Sequence, residues 1–254
     1  MKKLIAVAAL ITTACAWAES TVEGANTFGI LRVDSSAAET IIAVPWLGAS
    51  TSETSIKVTD VVKTANLNKD DELYYYDGSN YKCWKLDANK EWQAAKIVGM
   101  GEAGDNTTSL VRGNAIILKR NAPIAEAIYL YGQVAASGSV DITITQGTAA
   151  TPAYTLLAPP NDTNTSLNSG TWSNVDANDM IIVDGVDNAL RYNATEGKWG
   201  IRTIKGYDKQ TGVTYEWSYT SSTIPVGKGA WYISSKTGTT APKWALTNMP
   251  NTGN

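Results

Sequence analysis

Residues Leu73 to Trp92, LYYYDGSNYKCWKLDANKEW, return later in the chain as Ile181 to Trp199, IIVDGVDNALRYNATEGKW. Asp77-Gly78 and Asp184-Gly185 lie 107 residues apart, and so do Trp92 and Trp199 (184 − 77 = 199 − 92 = 107). The repeated stretch reads as a β-meander. Tyr74 and Tyr76 fall on one face of a strand and Tyr75 on the other, because strand side chains alternate with period two. Asp77-Gly78 supplies the positive-φ residue of a tight hairpin. Tyr81 to Leu86 forms the next strand, Asp87 to Lys90 a second polar turn, and Glu91-Trp92-Gln93 opens a third strand. The second copy keeps the turns and exchanges the tyrosines for Ile181, Ile182 and Val183.

Two further matches flank the meander at a common offset. Tyr154 to Pro160 matches Thr40 to Trp46 with Pro160 under Pro45, and Ile224 to Ser234 matches LVRGNAIILK with Ala230 under Ala115 (160 − 45 = 230 − 115 = 115). The two offsets differ, which requires compensating insertions, one of them in a loop from Tyr207 to Ser222. The expected fold class is all-β: two tandem, internally duplicated, β-sandwich-like domains with at most one short helix each. Thr59 is placed to cap that helix in the first domain, with Val61, Val62 and Ala65 on one side. The small residues Ala135 to Ser139 form the joint. Domain 1 is then 19–136 and domain 2 is 137–247, with a frayed tail over 248–254.

The N-terminus has the form of a secretory signal over 1–18. Lys2-Lys3 precedes an apolar run, Leu4 to Ile11, and Ala16-Trp17-Ala18 offers the small-x-small cleavage site. The run is too short to span a bilayer, and no later stretch is apolar enough to be a transmembrane segment. A lipoprotein signal would use Cys15, but Thr12 stands where such signals carry Leu. The address is therefore secreted, cell-surface or periplasmic. Cleavage leaves Cys83 without an internal disulfide partner, as a small buried hydrophobe. Net charge is −3 without any block of Lys or Arg, so neither nucleic acid nor an anionic membrane is indicated as partner.

Ile41 to Pro45, Tyr74 to Trp92, Gly113 to Leu118 and Gly227 to Ile233 together follow a recognisable order. An apolar strand ends in Pro, a Tyr-rich meander carries a Trp, and a Gly-containing turn leads into a closing strand. This order resembles a group of secreted β-repeat proteins from Verrucomicrobia, Lentisphaerae and related bacteria. Arg112-Gly113-Asn114 departs from the Gly227-Lys228-Gly229 of the second copy. The resemblance implies an exported β-protein of unassigned role and carries over no functional residues.

The chain contains no histidine, so neither a Ser-His-Asp nor a Cys-His site can be built, and one mature cysteine cannot make a thiolate zinc site. Ser79-Asn80-Tyr81-Lys82, Ser166-Leu167-Asn168 and Lys236-Thr237-Gly238 reproduce a penicillin-recognising motif order. Ser79 falls in a hairpin turn, however, not at a helix start. Val226 to Gly229 lacks the spacing of a phosphate loop and reads as a bend at a strand entry. Asp70-Asp71-Glu72 and Asp176, Asn178 and Asp179 occupy corresponding loops, where calcium is weighed against solvated turns and the turns are preferred. No cofactor motif and no metal site is assigned.

Aromatic residues carry the remaining functional signal. Trp92 and Trp199 recur in both copies and are assigned to cores. Tyr74, Tyr76, Trp84 and Trp217 are specific to one copy and are the candidate surface residues for stacking on a glycan. The sequence favours an exported non-enzymatic structural or adhesive protein of the cell surface or extracellular layer, with self-association or a surface glycan as the partner to expect. A pair of carbohydrate-binding modules is the alternative, and a carboxylate-based glycoside hydrolase the second alternative.

Overall fold

The computed structural model describes residues 28–33, 38–44, 55–110, 113–122, 127–133, 138–148, 150–159, 164–183, 186, 188–210, 212–235 and 240–249. The proposed signal segment, Trp46, Pro160 and the Lys236-Thr237-Gly238 motif lie outside these residues. The first half contains β1 (Phe28–Val33), β2 (Glu39–Ala43), β3 (Ile56–Lys57), α1 (Val58–Val61), β4 (Glu72–Tyr76), β5 (Tyr81–Leu86), β6 (Trp92–Ala94), β7 (Glu102–Ala103), β8 (Ser109–Leu110), β9 (Ala115–Lys119) and β10 (Ile128–Gln133). The second half contains β11 (Gly138–Thr143), β12 (Ala153–Leu157), β13 (Thr165–Ser166), β14 (Thr171–Ser173), β15 (Met180–Val183), β16 (Leu190–Asn193), β17 (Lys198–Asp208), β18 (Gly212–Ser218), β19 (Thr223–Ile224), β20 (Ala230–Ser234) and β21 (Lys243–Met249). The fold is nearly all β, as the alternating pattern leads one to expect.

The meander forms where its turn chemistry requires. Asp77 Oδ1 accepts the backbone N–H groups of Ser79 and Asn80, and Gly78 takes φ +97°. These bonds hold the Asp77 carboxyl below its ordinary range. The turn sets β4 antiparallel to β5 with Leu73 opposite Trp84 and Tyr76 opposite Tyr81. Asp87 accepts from Asn89 and Glu91 in the same way before β6.

The two halves share a strand order. The main sheet runs β2-β9-β4-β5-β6 in the first and β12-β20-β15-β16-β17 in the second, where β18 extends it. The ribbon β1–β10 corresponds to β11–β21, and the short pair β3–β8 to β13–β19. Each half has its own apolar core. Leu31, Val33, Ile42, Leu73, Trp84, Ile116, Ile128 and Leu130 belong to one, and Ile142, Leu157, Ile181, Leu190, Trp199, Tyr232 and Trp244 to the other. The last buried residue of the first core along this part of the chain is Leu130, and the first of the second core is Ile142.

Alternation along the first sheet buries both faces. Ile42, Leu73, Trp84 and Ile116 point into the first core. Ile41, Tyr74, Cys83, Ala115 and Ile117 point the other way, into a third cluster with Leu156 and Ala158 of the second half. Backbone bonds join the halves as well: Ala43 N–H donates to Gly227 O (3.0 Å) and Gly229 N–H to Ile41 O (3.1 Å). The Val226 to Gly229 segment thus docks on the outer edge of β2. A Cβ on Gly227, whose φ is +71°, would lie 2.6 Å from Val33, so only glycine fits there. Gly113 is seated reciprocally, 3.3 Å from Val140 of β11 by the same measure.

Four expectations are corrected. The helix is a single turn that starts at Val58; Lys57, not Thr59, is its N-cap residue, and no side chain caps it. One turn supplies too few hydrogen bonds to stand alone, and it persists because Val58 and Val61 are buried. The stretch from Gly99 to Thr108, which its Gly and Asn residues mark in sequence as a loop, includes β7, which pairs parallel to β5. The region from Tyr207 to Ser222 is not one loop: Tyr207-Asp208 and Gly212 to Ser218 are paired as the outer part of a long β17–β18 hairpin, and Tyr219 to Ser222 turns beyond it. The tail remains in β21 as far as Met249, because that strand is paired to β11 and β14.

Gly104 lies against the Trp84 indole, and a Cβ there would fall 2.1 Å from Trp84 Cε2. Gly104→Ala should therefore cost about 1–3 kcal/mol through overpacking, read as a lower urea midpoint at unchanged slope.

Candidate functional site

The four aromatic candidates separate into different environments. Trp84 is fully buried and donates its indole N–H to Asn106 Oδ1 (3.1 Å). It is a core residue and offers no surface for stacking, because its strand face meets the β1–β10 ribbon. Tyr74 is 2% exposed, and its hydroxyl donates to Glu72. Burial, and then the neighbouring carboxylate, push that hydroxyl well above its ordinary pKa. Tyr74 is likewise corrected from surface to interior. Tyr76 and Trp217 keep part of their rings at the surface.

Tyr76 belongs to an aromatic group that spans the seam between the halves. Its ring lies 5.1 Å from Tyr81 and 5.8 Å from Trp231, and Trp231 meets Tyr154 edge-on at 6.3 Å and 88°. Beside the group is a cleft of about 130 Å³ with Tyr76, Asp77 and Asn114 on one side and Thr145, Tyr154 and Thr155 on the other. Tyr76 is fixed by donation to Gly78 O (3.1 Å). Thr155 Oγ1 accepts the Thr145 N–H (2.8 Å). Asp77 is the only carboxylate among the described residues that line this cleft.

Trp217 lies on the β17–β18 arm, which has no equivalent among the described residues of the first half. Val213, Tyr215 and Trp217 alternate onto one face, opposite Tyr207, Ile204 and Arg202 respectively. A register shift between Ile204 and Gly206 marks a bulge. Ile204 and Tyr207 are each 72% exposed, and Val213 and Tyr215 are exposed too. Arg202 sits over the Tyr215 ring (4.3 Å to its centre), and Trp217 stacks parallel to Tyr219 (6.4 Å, 7°). The period-two pattern of Val213, Tyr215 and Trp217 was available as a strand signal. The extra length relative to the first copy concealed it.

The acidic loops are occupied by protein donors. Asp71 is fully buried: it accepts from Arg120 Nε (3.0 Å) and from the backbone N–H groups of Asn68 and Asn121 (both 2.8 Å). Asp179 accepts from Tyr232 OH (2.6 Å) and from the backbone of Asp176 and Ser235. Burial, followed by Asp179, pushes the Tyr232 hydroxyl far up. The reading of these two carboxylates as solvated is therefore corrected, and their oxygens are committed to the fold. No cluster of three metal-ligating side chains occurs among the described residues. Cys83 is buried, and its thiol is pushed up to about 11 by burial, which leaves it little thiolate character.

A second depression, of about 300 Å³, lies beside α1 and includes Asp60, Lys63, Glu91 and Trp92. The Trp92 indole N–H is buried without a hydrogen-bond partner, and so is that of Trp199 at the equivalent position. The orphan donor occurs in both halves, so it does not single out this depression. No helix among the described residues is long and apolar enough to cross a membrane. No protein-family model, curated protein or solved structure matches the chain.

Proposed function

We propose that the protein is an exported, non-catalytic structural or adhesive unit, built by duplication of one β-domain, which assembles with further copies of itself through the β17–β18 arm. One observation carries this reading: the arm presents an apolar face in which Ile204 and Tyr207 are 72% exposed. A two-stranded ribbon with no cover on that face gains little stability in water on its own. An exposed apolar patch of this kind marks an interaction site.

The occupant that fits is a second arm. β18 ends its sheet, so its outer edge is available for pairing among the described residues. Antiparallel pairing of two copies of β18 about Tyr215 sets Tyr215 opposite Tyr215, Val213 opposite Trp217 and Thr214 opposite Glu216. Lys205 lies in the bulge beside Thr214, where it can meet Glu216 of the second copy. The matched strand order of the halves supports the duplication, and the Lys2-Lys3 segment with its apolar run supports export.

Sedimentation of the mature chain, 19–254, tests the assembly. Wild type should form concentration-dependent oligomers, whereas Ile204→Asp combined with Tyr215→Lys should sediment as a folded monomer. A wild type that stays monomeric at the highest attainable concentration would sink the self-association reading. Retention on insoluble polysaccharide by that monomer would favour glycan adhesion instead.

A further inference from the structure

We infer that the cleft between the halves is a binding site for a single neutral sugar ring. This goes beyond the assembly role and does not depend on it. The cleft holds about 130 Å³, room for one ring. Its composition matches what a pyranose presents, a belt of hydroxyls around an apolar C–H face. The apolar side is met by Tyr154, 45% exposed, whose contact with Trp231 at 88° is an edge contact that leaves ring face unstacked.

The polar side is met from both halves. On Asp77, which lines the cleft, the two turn donors Ser79 and Asn80 both land on Oδ1, so Oδ2 is the oxygen we assign as acceptor for sugar hydroxyls. Thr155 Oγ1 already accepts from Thr145 N–H, so its own proton is directed elsewhere and is available to a ring oxygen. The groups are preorganised by contacts already made: Asp77 by its turn, Tyr76 by Gly78, Thr155 by Thr145. Charge narrows the class further. Among the described residues one carboxylate and no cation line the cleft, a balance that suits neutral sugars better than phosphates or uronates.

The test is an amide-shift titration of the 19–254 chain carrying Tyr215→Lys, so that self-association does not intrude. Glucose, galactose, mannose, xylose, N-acetylglucosamine and glucuronate are added separately. A one-ring site predicts a Kd of about a millimolar. The expected result is saturable shifts at Gly78, Asn114, Thr145 and Thr155 with at least one neutral sugar, and weaker binding of glucuronate. Tyr154→Ala should weaken binding about three- to tenfold. Asp77→Asn keeps the Oδ1 acceptor of the turn and should weaken it about threefold or more. Unshifted amides elsewhere in both variants certify their folds. The proposal is overturned if no neutral sugar shifts these amides, if the shifts map instead to the depression beside Trp92, or if both variants bind as wild type does.

Discussion

Asp71→Ala is expected to lower the unfolding free energy by about 3–5 kcal/mol, because it strips a fully buried guanidinium of its counter-ion. Three donors lose an acceptor at once: Arg120 Nε, and the backbone N–H groups of Asn68 and Asn121. Arg120 also donates to Asn66 O, so the pair ties the loop before β4 to the end of β9. For a unit of roughly a hundred residues, this loss corresponds to a melting temperature lower by on the order of 10–20 °C. Arg120→Met should be milder, since Asp71 keeps its two backbone donors and the methionine chain occupies part of the vacated space. At Asp179 the donors are neutral, Tyr232 OH and two backbone N–H groups, so Asp179→Ala should also cost less. Urea unfolding of the three variants checks the order. Equal midpoints for Asp71→Ala and wild type would show that the ion pair contributes nothing.

Trp84→Ala is the second large effect, about 3–5 kcal/mol of stability lost through a cavity in the first core. The indole is fully buried, its N–H is bonded to Asn106, and Gly104 packs on its ring. Trp217→Ala, on the half-exposed arm, should change stability by only about 0.5 kcal/mol while weakening self-association. The contrast separates a structural from a surface tryptophan. Guanidinium titration supplies the first readout and sedimentation the second. A Trp84 variant as stable as wild type would contradict the packing of the first half.

Strand positions were readable from local alternation, and the Asp-Gly turns from the conformations that Asp and Gly favour. Which face of a strand is wet was not. In β4 and β5 both faces are buried, one against the first core and one against the second half, so alternation could not separate Trp84 from Tyr76. Asp70, Asp71 and Glu72 look alike in sequence. Only Asp71 is buried, while Asp70 pairs with Lys85 and Glu72 with Lys119 near the surface. That distinction depends on Arg120, which arrives from a strand far along the chain. The cleft is less visible still, because Asp77 and Thr155 come together only through the docking of two halves.

That docking relies on a few backbone bonds between β2 and the Gly227 to Gly229 turn, together with one modest apolar cluster. Between separate molecules such a contact would be weak. Covalent connection raises the effective concentration of each half at the other to about the millimolar range, without any new contact. Evolution of one half is then free to discard what would be needed to find a partner by diffusion. The second half combines the shared strand order with an arm that faces outward, while its Gly227 turn keeps hold of the first.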